Sequence, residues 1–412
     1  MLSRNLLAYL ASRFCAATAM TMLRAGILWH VFALTGSAFH LGLVGVVQFV
    51  PALGLMLVGG ALADTYDRRK IMIVAQVFSL ACAAVLFVAT ERGWVGLRLL
   101  YGVVFLLAAA TAFDSPSRAA LLPTLVPREV FPRAVTLAAT NQALAFTTGP
   151  ALGGLLIAAR GVGTVYAAYA LLLAGSLAGL AFLRPDRRRG GGARSVTWRA
   201  IREGVAFVRR RQVVLGCMVL DMFAVIFGGA AALLPIYAND ILHVGPRGYG
   251  LLTSSLELGA LLTSLVLTAV PTIRNAGRAL LTAVGVYGAA TIVFGLSRWF
   301  PLSVASYMLV GVADQVSVVM RSTAIQLSTP DELRGRVSSV NMMFIGASNQ
   351  LGAAESGFVA ALTSAPFAVV SGGVGCLVVL AIVAAKMPEL RRYRIGGVVD
   401  RGEPARTGTA AR

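Results

Sequence analysis

GGALADTYDRRK, residues 59–70, lies between two long apolar stretches and carries two acids and three bases. Such a cluster stands out in a chain that is 58% hydrophobic and only 13% charged. Paired glycines let helix ends pack closely, and Lys and Arg stay on the cytoplasmic side of a membrane. The stretch therefore predicts a short cytoplasmic turn between two membrane-spanning helices.

The composition of the whole chain agrees with a membrane protein. The mean hydropathy of the 412 residues is +0.79, and a soluble protein would carry charge on about 25% of its residues. Apolar runs of about 20 residues recur along the chain, as spanning helices require. The first run contains Arg13 and Arg24 and lacks a small-residue cleavage site, so we expect no cleaved signal peptide.

Turn residues divide the chain into twelve predicted membrane-spanning segments. We number them 1 to 12, and their approximate bounds are 7–34, 41–63, 71–91, 95–115, 134–158, 163–183, 213–237, 247–270, 278–297, 301–325, 337–362 and 366–386. The predicted fold class is an all-α membrane protein with two pseudo-symmetric six-helix bundles.

The basic residues fix the predicted orientation. The formal net charge is +19, and alternate loops on one side hold 29 of the 36 Lys and Arg, against 5 on the other side. The positive-inside rule then places both termini in the cytoplasm. We expect the protein to lie in the inner (plasma) membrane. Because the bases follow topology, nucleic acid is not expected as a partner.

The longest polar stretch divides the chain into predicted domains. We predict an N-terminal six-helix bundle over 1–183, a basic cytoplasmic linker over 184–211 and a C-terminal bundle over 212–388. The tail, 389–412, is predicted to be disordered. Within the linker, apolar residues share one helical face, which predicts an amphipathic helix on the inner leaflet or, alternatively, the start of segment 7: Trp198, Ile201, Val205 and Val208.

An internal repeat supports two related halves. Identical residues recur at a constant offset of 203: Arg118 and Arg321, Pro127 and Pro330, Glu129 and Glu332, Arg133 and Arg336, Gly149 and Gly352, Gly154 and Gly357. Duplicated six-helix halves commonly enclose a binding site near the middle of the membrane.

The spacing of Gly60, Asp64, Arg68, Arg69 and Lys70 resembles the loop 2–3 signature of the major facilitator superfamily of secondary transporters. The form G-x-L-A-D-x-x-D-R-R is similar to the branch of bacterial drug and siderophore exporters, which includes enterobactin and macrolide exporters. The signature departs from the general pattern at two positions, Thr65 and Asp67.

The resemblance implies a conformational latch. Asp64 would cap the cytoplasmic end of segment 11, and Arg68 would pair with Asp114 at the end of segment 4, so that both hold the outward-open state. A carboxylate at a helix N-terminus is favourable on its own account. The alternative is that Gly60, Asp64, Arg68 and Arg69 only fix the topology of the loop.

A second motif, GPALGG, covers residues 149–154 and resembles the segment 5 signature of exporters. Its small residues predict close packing of segment 5 on segment 8 of the other half, and its proline predicts a bend: Gly149, Pro150, Gly153 and Gly154.

Charged residues inside segments are candidates for proton coupling or substrate binding because they are costly there. They are Asp221, Glu257, Asp314, Glu355 and Arg24; the alternative for each acid is a structural role with a satisfied partner. Three uncharged polar residues could face a cavity or bond neighbouring helices instead: Gln48, Asn141 and Gln142.

Nothing in the sequence favours an enzyme. Walker, HExxH and GxSxG motifs are missing, and the four cysteines stand singly in apolar runs, so we predict no cofactor and no metal site. We predict a monomeric, proton-coupled exporter of amphipathic small molecules (drugs or siderophores), in contact with membrane lipid and working by alternating access. The alternatives are a lysophospholipid flippase or importer of the same fold, and a membrane sensor or scaffold that does not transport.

Overall fold

The computed structural model describes residues 4–127, 129–183, 198–270 and 273–395. These ranges contain helices and turns and no β-strand. Every predicted segment overlaps a helix, so the all-helical fold class is confirmed, and the observed helices are consistent with twelve segments. The helices run further than the apolar runs predict, because polar residues continue them beyond the hydrocarbon.

Six helices form the first half, in line with segments 1 to 6. They are α1 (Arg4–Thr35), α2 (Ala38–Thr65), α3 (Arg68–Glu91), α4 (Leu97–Leu125), α5 (Phe131–Arg160) and α6 (Gly163–Ala181). The turn within residues 59–70 is as short as its sequence predicts. Asp67 caps α3, since its carboxylate accepts a hydrogen bond from the Arg69 amide at 3.0 Å.

The second half contains segments 7 to 12 and three shorter helices. The helices are α7 (Trp198–Arg210), α8 (Gln212–Phe227), α9 (Leu234–Ile236), α10 (Gly245–Ala269), α11 (Ala276–Leu296), α12 (Phe300–Ser328), α13 (Asp331–Leu362), α14 (Ala365–Lys386) and α15 (Pro388–Arg392). Segment 7 is a broken helix. After Gly228 and Gly229 the chain makes a 3₁₀ turn at Ala230–Leu233 and a π-helical turn at Tyr237–Ile241.

Ten helices of the described chain are long and apolar enough to cross a membrane. The described part of α2 adds a shorter apolar helix, Ala38–Pro51. The protein is therefore a multi-pass membrane protein.

Three apolar clusters organise the packing of the described residues. The largest contains residues of both halves, including Trp29 and Leu41 from the first half and Tyr249 and Phe294 from the second. The other two each belong to one half: one packs around Cys217 in the second half, and one packs around Tyr9 in the first. The halves thus share a core at one end of the bundle and have separate cores at the other end.

The shared end is the end that carries the α1–α2 turn. There α2 packs on α13 and α5 packs on α10. The Tyr249 hydroxyl donates a hydrogen bond to the Ala25 carbonyl at 3.0 Å, and the Tyr249 ring lies 5.3 Å from the ring of Trp29. The opposite end carries the α2–α3 turn.

The predicted linker and tail differ from the observed chain in extent. The amphipathic helix is present as α7, where Val208 is buried against the second half and Glu203 pairs with Arg336 at 2.5 Å. The tail, predicted to be disordered from 389, instead begins with α15. Buried Leu390 anchors this turn, and the Ile395 amide donates to the Arg274 carbonyl at 2.8 Å. Residues 184–197 and 396–412 lie outside the described residues.

Candidate functional site

A cavity of about 360 Å³ lies between the two halves, beneath their shared core. Its walls come from α1, α2 and α5 of the first half and from α8, α10, α11, α12 and α13 of the second. The helix pairs that join the halves close one end of it. Four of the predicted polar residues line this cavity: Arg24, Gln48, Glu257 and Asp314.

Arg24 is the charged residue of the first-half wall. Its neighbours on α1, Leu23 and Ala25, are buried in the core, whereas Arg24 itself is exposed to the cavity. Within the described residues, no carboxylate forms an ion pair with Arg24. An unpaired guanidinium inside a membrane bundle is costly unless water or a ligand reaches it.

Two carboxylates occupy the facing wall. Glu257 of α10 and Asp314 of α12 are half-buried, and Glu257 interacts electrostatically with both Asp314 and Arg24. Two tyrosines from the second half, Tyr249 and Tyr307, share this wall. The site therefore holds one cation on the first half and two acids on the second.

Amide side chains complete the polar lining. Gln48 of α2 faces Asn349 and Gln350 of α13, which the sequence analysis did not single out. The buried Gln350 Oε1 has no hydrogen-bond partner among the described residues. In the sequence, the only feature that could have marked Gln350 as a candidate is its position near Glu355 on the same helix.

A smaller pocket of about 150 Å³ opens beside Arg24, between α1, α2 and α4. Its lining is mostly apolar, with Leu23 and Ile27 from α1 and Val104 and Leu107 from α4. Arg24, Gln48 and Gln350 line both spaces. The polar groups of the first-half wall thus border an apolar recess.

Asn141 and Gln142 are not among the cavity-lining residues. The Asn141 amide donates to the Leu10 carbonyl at 2.7 Å, and Gln142 accepts a hydrogen bond from Arg13. Both residues join α5 to α1, which is the helix–helix alternative that the sequence left open. Arg13 also donates to the Tyr9 hydroxyl at 3.1 Å, so it is held within the first half.

Asp221 and Glu355 also lie away from the cavity lining. Asp221 forms a buried ion pair with Arg321 of α12, and both side chains are less than 10% exposed. Glu355 is half-buried and accepts a hydrogen bond from Ser356 at 3.3 Å. Neither placement supports contact with substrate in this conformation.

A second charged pair lies within α4. The Asp114 carboxylate accepts hydrogen bonds from Arg118 at 3.1 Å and from Gln76 at 3.0 Å. Arg118 and Arg321 are equivalents in the 203-residue repeat, and both are buried with an acid partner. Both halves of the repeat therefore contain a buried arginine at the equivalent position. Its acid partner comes from the same helix in the first half and from α8 in the second half.

The loop 2–3 signature is described only in part. Gly60 and Asp64 belong to α2, but their side chains lie outside the described residues. Arg69 donates to the Ala181 carbonyl at 2.7 Å, which ties the loop to the end of α6. The pairing of Arg68 with Asp114 stays a prediction.

The glycines of α5 pack against two neighbouring helices, α1 and α10. A Cβ at Gly154 would lie 2.6 Å from the Gly250 Cα on α10. Gly149 and Gly153 face α1 instead, and Pro150 lines the cavity. Only the last glycine of the motif thus makes the predicted approach to the other half.

Metal chemistry has little basis in the described residues. No group of three or more His, Cys, Asp or Glu among them could hold a metal ion. The four cysteines are free.

Residues 6–395 match the family model described as transmembrane secretion effector. The chain belongs to this family of the major facilitator superfamily. The enterobactin exporter EntS of Escherichia coli O1:K1 is 26% identical over 403 residues, covering 93% of this chain and 92% of that protein. The enterobactin exporter EntS of Shigella boydii serotype 18 is 26% identical over 404 residues, with the same coverage.

Solved structures support the fold of this transmembrane secretion effector. The nucleoside transporter NupG superposes with a TM-score of 0.72 at 12% identity, covering 92% of this chain and 99% of that one. The human organic anion transporter MFSD10 superposes with a TM-score of 0.64 at 15% identity, with the same coverage. The fold is that of major facilitator transporters.

Proposed function

We propose that this protein is a secondary active exporter of amphipathic small molecules, working by alternating access with proton coupling. The observation that carries the proposal is the cavity between the halves, where Arg24 faces Glu257 and Asp314 beneath a closed end. The exporter relatives favour export over import. A siderophore or a drug is the expected class of cargo.

The proposed setting is the inner (plasma) membrane, with a monomer whose two termini are cytoplasmic. The excess of basic residues in the loops on that side supports this orientation. The open end of the cavity then faces the cytoplasm, which is where an exporter takes up its cargo. The latch of Asp64, Arg68 and Asp114 would act at this end when the halves close there.

Coupling is assigned to the two cavity acids. Two carboxylates that interact in a site of low polarity do not both ionise easily, so a proton bound between them is favoured. A cationic group of the cargo replaces that proton when it binds, and the proton returns from the outer side. Each turnover then exchanges cargo for protons.

The test uses everted membrane vesicles with an energised pH gradient and a panel of drugs and siderophores. A compound that is a substrate should dissipate the gradient. Glu257→Gln and Asp314→Asn should abolish the response, because each removes a carboxylate from the cavity. Glu355→Gln is the matched control and should keep the response, since Glu355 does not line the cavity.

Failure of the whole panel, with folded protein shown in the membrane, would count against the exporter. Cargo accumulation in the opposite direction would indicate an importer. Movement of lysophospholipid between leaflets would indicate a flippase, and no movement of any solute would favour a sensor.

A further inference from the structure

We infer that the cargo is a zwitterionic amphiphile, whose acidic group binds Arg24 and whose basic group binds Glu257 and Asp314. This inference rests on the proposed function, because it takes the central cavity as the cargo site. It adds the charge pattern of the cargo and the wall that each charge contacts.

The charges of opposite sign lie on opposite halves. Arg24 belongs to α1, whereas Glu257 and Asp314 belong to α10 and α12. They face one cavity without forming an ion pair among the described residues. The same chain does join a buried arginine and aspartate where it needs a structural pair, as Asp221 and Arg321 show.

Separated charges in a bundle of low polarity favour a ligand with the complementary dipole. A carboxylate matches the planar, donor-rich guanidinium of Arg24. An ammonium matches the two carboxylates, and the rings of Tyr249 and Tyr307 share that wall. A ligand with both groups would contact both halves at once, which links its binding to their closure.

The apolar part of the cargo has its own place. The recess beside Arg24 measures about 150 Å³ and is walled by Leu23, Ile27, Val104 and Leu107. A dry apolar cavity of about this size holds one aromatic ring. A bicyclic group that enters the recess would leave its second ring and its polar groups in the larger cavity, next to Gln48 and Gln350.

Three matched probes separate the contributions of the two charges. 3-(2-Naphthyl)alanine carries both charges, 3-(2-naphthyl)propanoate carries only the acid, and 2-(2-naphthyl)ethylamine carries only the base. Binding of each is measured on the purified full-length protein by equilibrium dialysis. The zwitterion should bind at least tenfold more tightly than either single-charge probe.

The variants should act on one charge each. Arg24→Gln should reduce the affinity of naphthylalanine to that of naphthylethylamine. The affinity of naphthylethylamine itself should not change. The double variant Glu257→Gln with Asp314→Asn should reduce the affinity of naphthylalanine to that of naphthylpropanoate and leave the affinity of naphthylpropanoate unchanged. Arg24→Lys should recover part of the loss, and the melting temperature of each variant confirms that it is folded.

Equal binding of naphthylalanine and naphthylethylamine would overturn the role of Arg24, and equal binding of naphthylalanine and naphthylpropanoate would overturn the role of the acids. Binding of none of the three would overturn the inference as a whole. The vesicle experiment is independent, because a protein that exports neutral or cationic compounds with proton exchange keeps the proposed function while this inference fails. If naphthylalanine binds selectively but no compound is transported, this inference holds and the proposed function fails.

Discussion

Gly154 of α5 and Gly250 of α10 lie in backbone contact across the interface between the halves: a Cβ at Gly154 would approach the Gly250 Cα to 2.6 Å. The repeat equivalent of Gly154 is Gly357, which packs against Gly42 on α2; a Cβ at Gly42 would lie 3.0 Å from the Gly357 Cα. Each of the two helix pairs that join the halves, α5–α10 and α2–α13, thus contains one member of an equivalent glycine pair, Gly154 or Gly357.

Gly154→Ala tests this closure. The added methyl group meets backbone that cannot rotate away, so the pair α5–α10 must separate and the closed end becomes less stable. We expect a loss of at least tenfold in the cargo-dependent vesicle response, with the protein still present in the membrane.

Gly102→Ala is the matched control for that substitution, since nothing described lies within 4 Å of its Cβ. It should keep full transport, and its melting temperature should stay equal or rise because alanine favours a helix. Full activity in Gly154→Ala would contradict tight closure at this contact.

Asp221→Ala should destabilise the fold. It leaves the guanidinium of Arg321 buried and unpaired, which costs about 3–5 kcal/mol. The double variant Asp221→Ala with Arg321→Met should recover much of this loss, because it removes the unpaired charge and keeps the volume of the side chain. The readout is the melting temperature of the purified protein.

Asp331→Ala provides the surface comparison for Asp221. Asp331 pairs with Arg334 at 2.7 Å at the start of α13, but its side chain is 83% exposed. Exposed pairs of this kind contribute about 0–1 kcal/mol, so the melting temperature should change little. A larger loss from Asp331→Ala than from Asp221→Ala would reverse our assignment of Asp221 to structure.

Arg13 and Arg24 of α1 should separate stability from binding. Arg13→Leu removes the hydrogen bonds to Gln142 and Tyr9, so it should lower the melting temperature by several degrees. Arg24→Leu removes an unpaired cation from the cavity and should leave the melting temperature equal or higher, while cargo binding falls. Equal effects of both substitutions on melting would contradict the distinction.

Single cysteines can determine the orientation and the open side. With the four native cysteines replaced by alanine, Asn349→Cys in the cavity should react with a membrane-impermeant maleimide in everted vesicles but not in intact cells. Arg92→Cys, in the exposed turn between α3 and α4, should react in intact cells. Labelling of Asn349→Cys in intact cells alone would reverse the orientation that we propose.

Much of the fold could be predicted from apolar runs, because the thickness of the membrane sets the length of a spanning helix and turn residues mark where each helix ends. The 203-residue repeat likewise predicted two related halves, since duplicated sequence keeps its packing glycines. The sequence also indicated that α7 is amphipathic. It missed the order at the start of the tail, because a single buried side chain, Leu390, anchors that turn.

The site was only partly predictable, because a helix position does not reveal the partner that it faces. Asp221, Glu257 and Asp314 look alike in sequence, yet Asp221 meets Arg321 while the other two face open space. Asn141 and Gln142 are directed to α1 by the packing of α5. Gln350 was overlooked because its position near Glu355 was the only feature of the sequence that marked it.

The shared apolar core of the two halves has a consequence for the working cycle. Opening the end that carries this core would expose the core to water, at a cost of about 2.5 kcal/mol for each 100 Å² of apolar surface. A difference of about 5.5 kcal/mol already moves a two-state population from 99:1 to 1:99. We therefore expect the unloaded protein to wait with its cavity toward the loop 2–3 side, so that the binding of cargo provides the free energy for turning it outward.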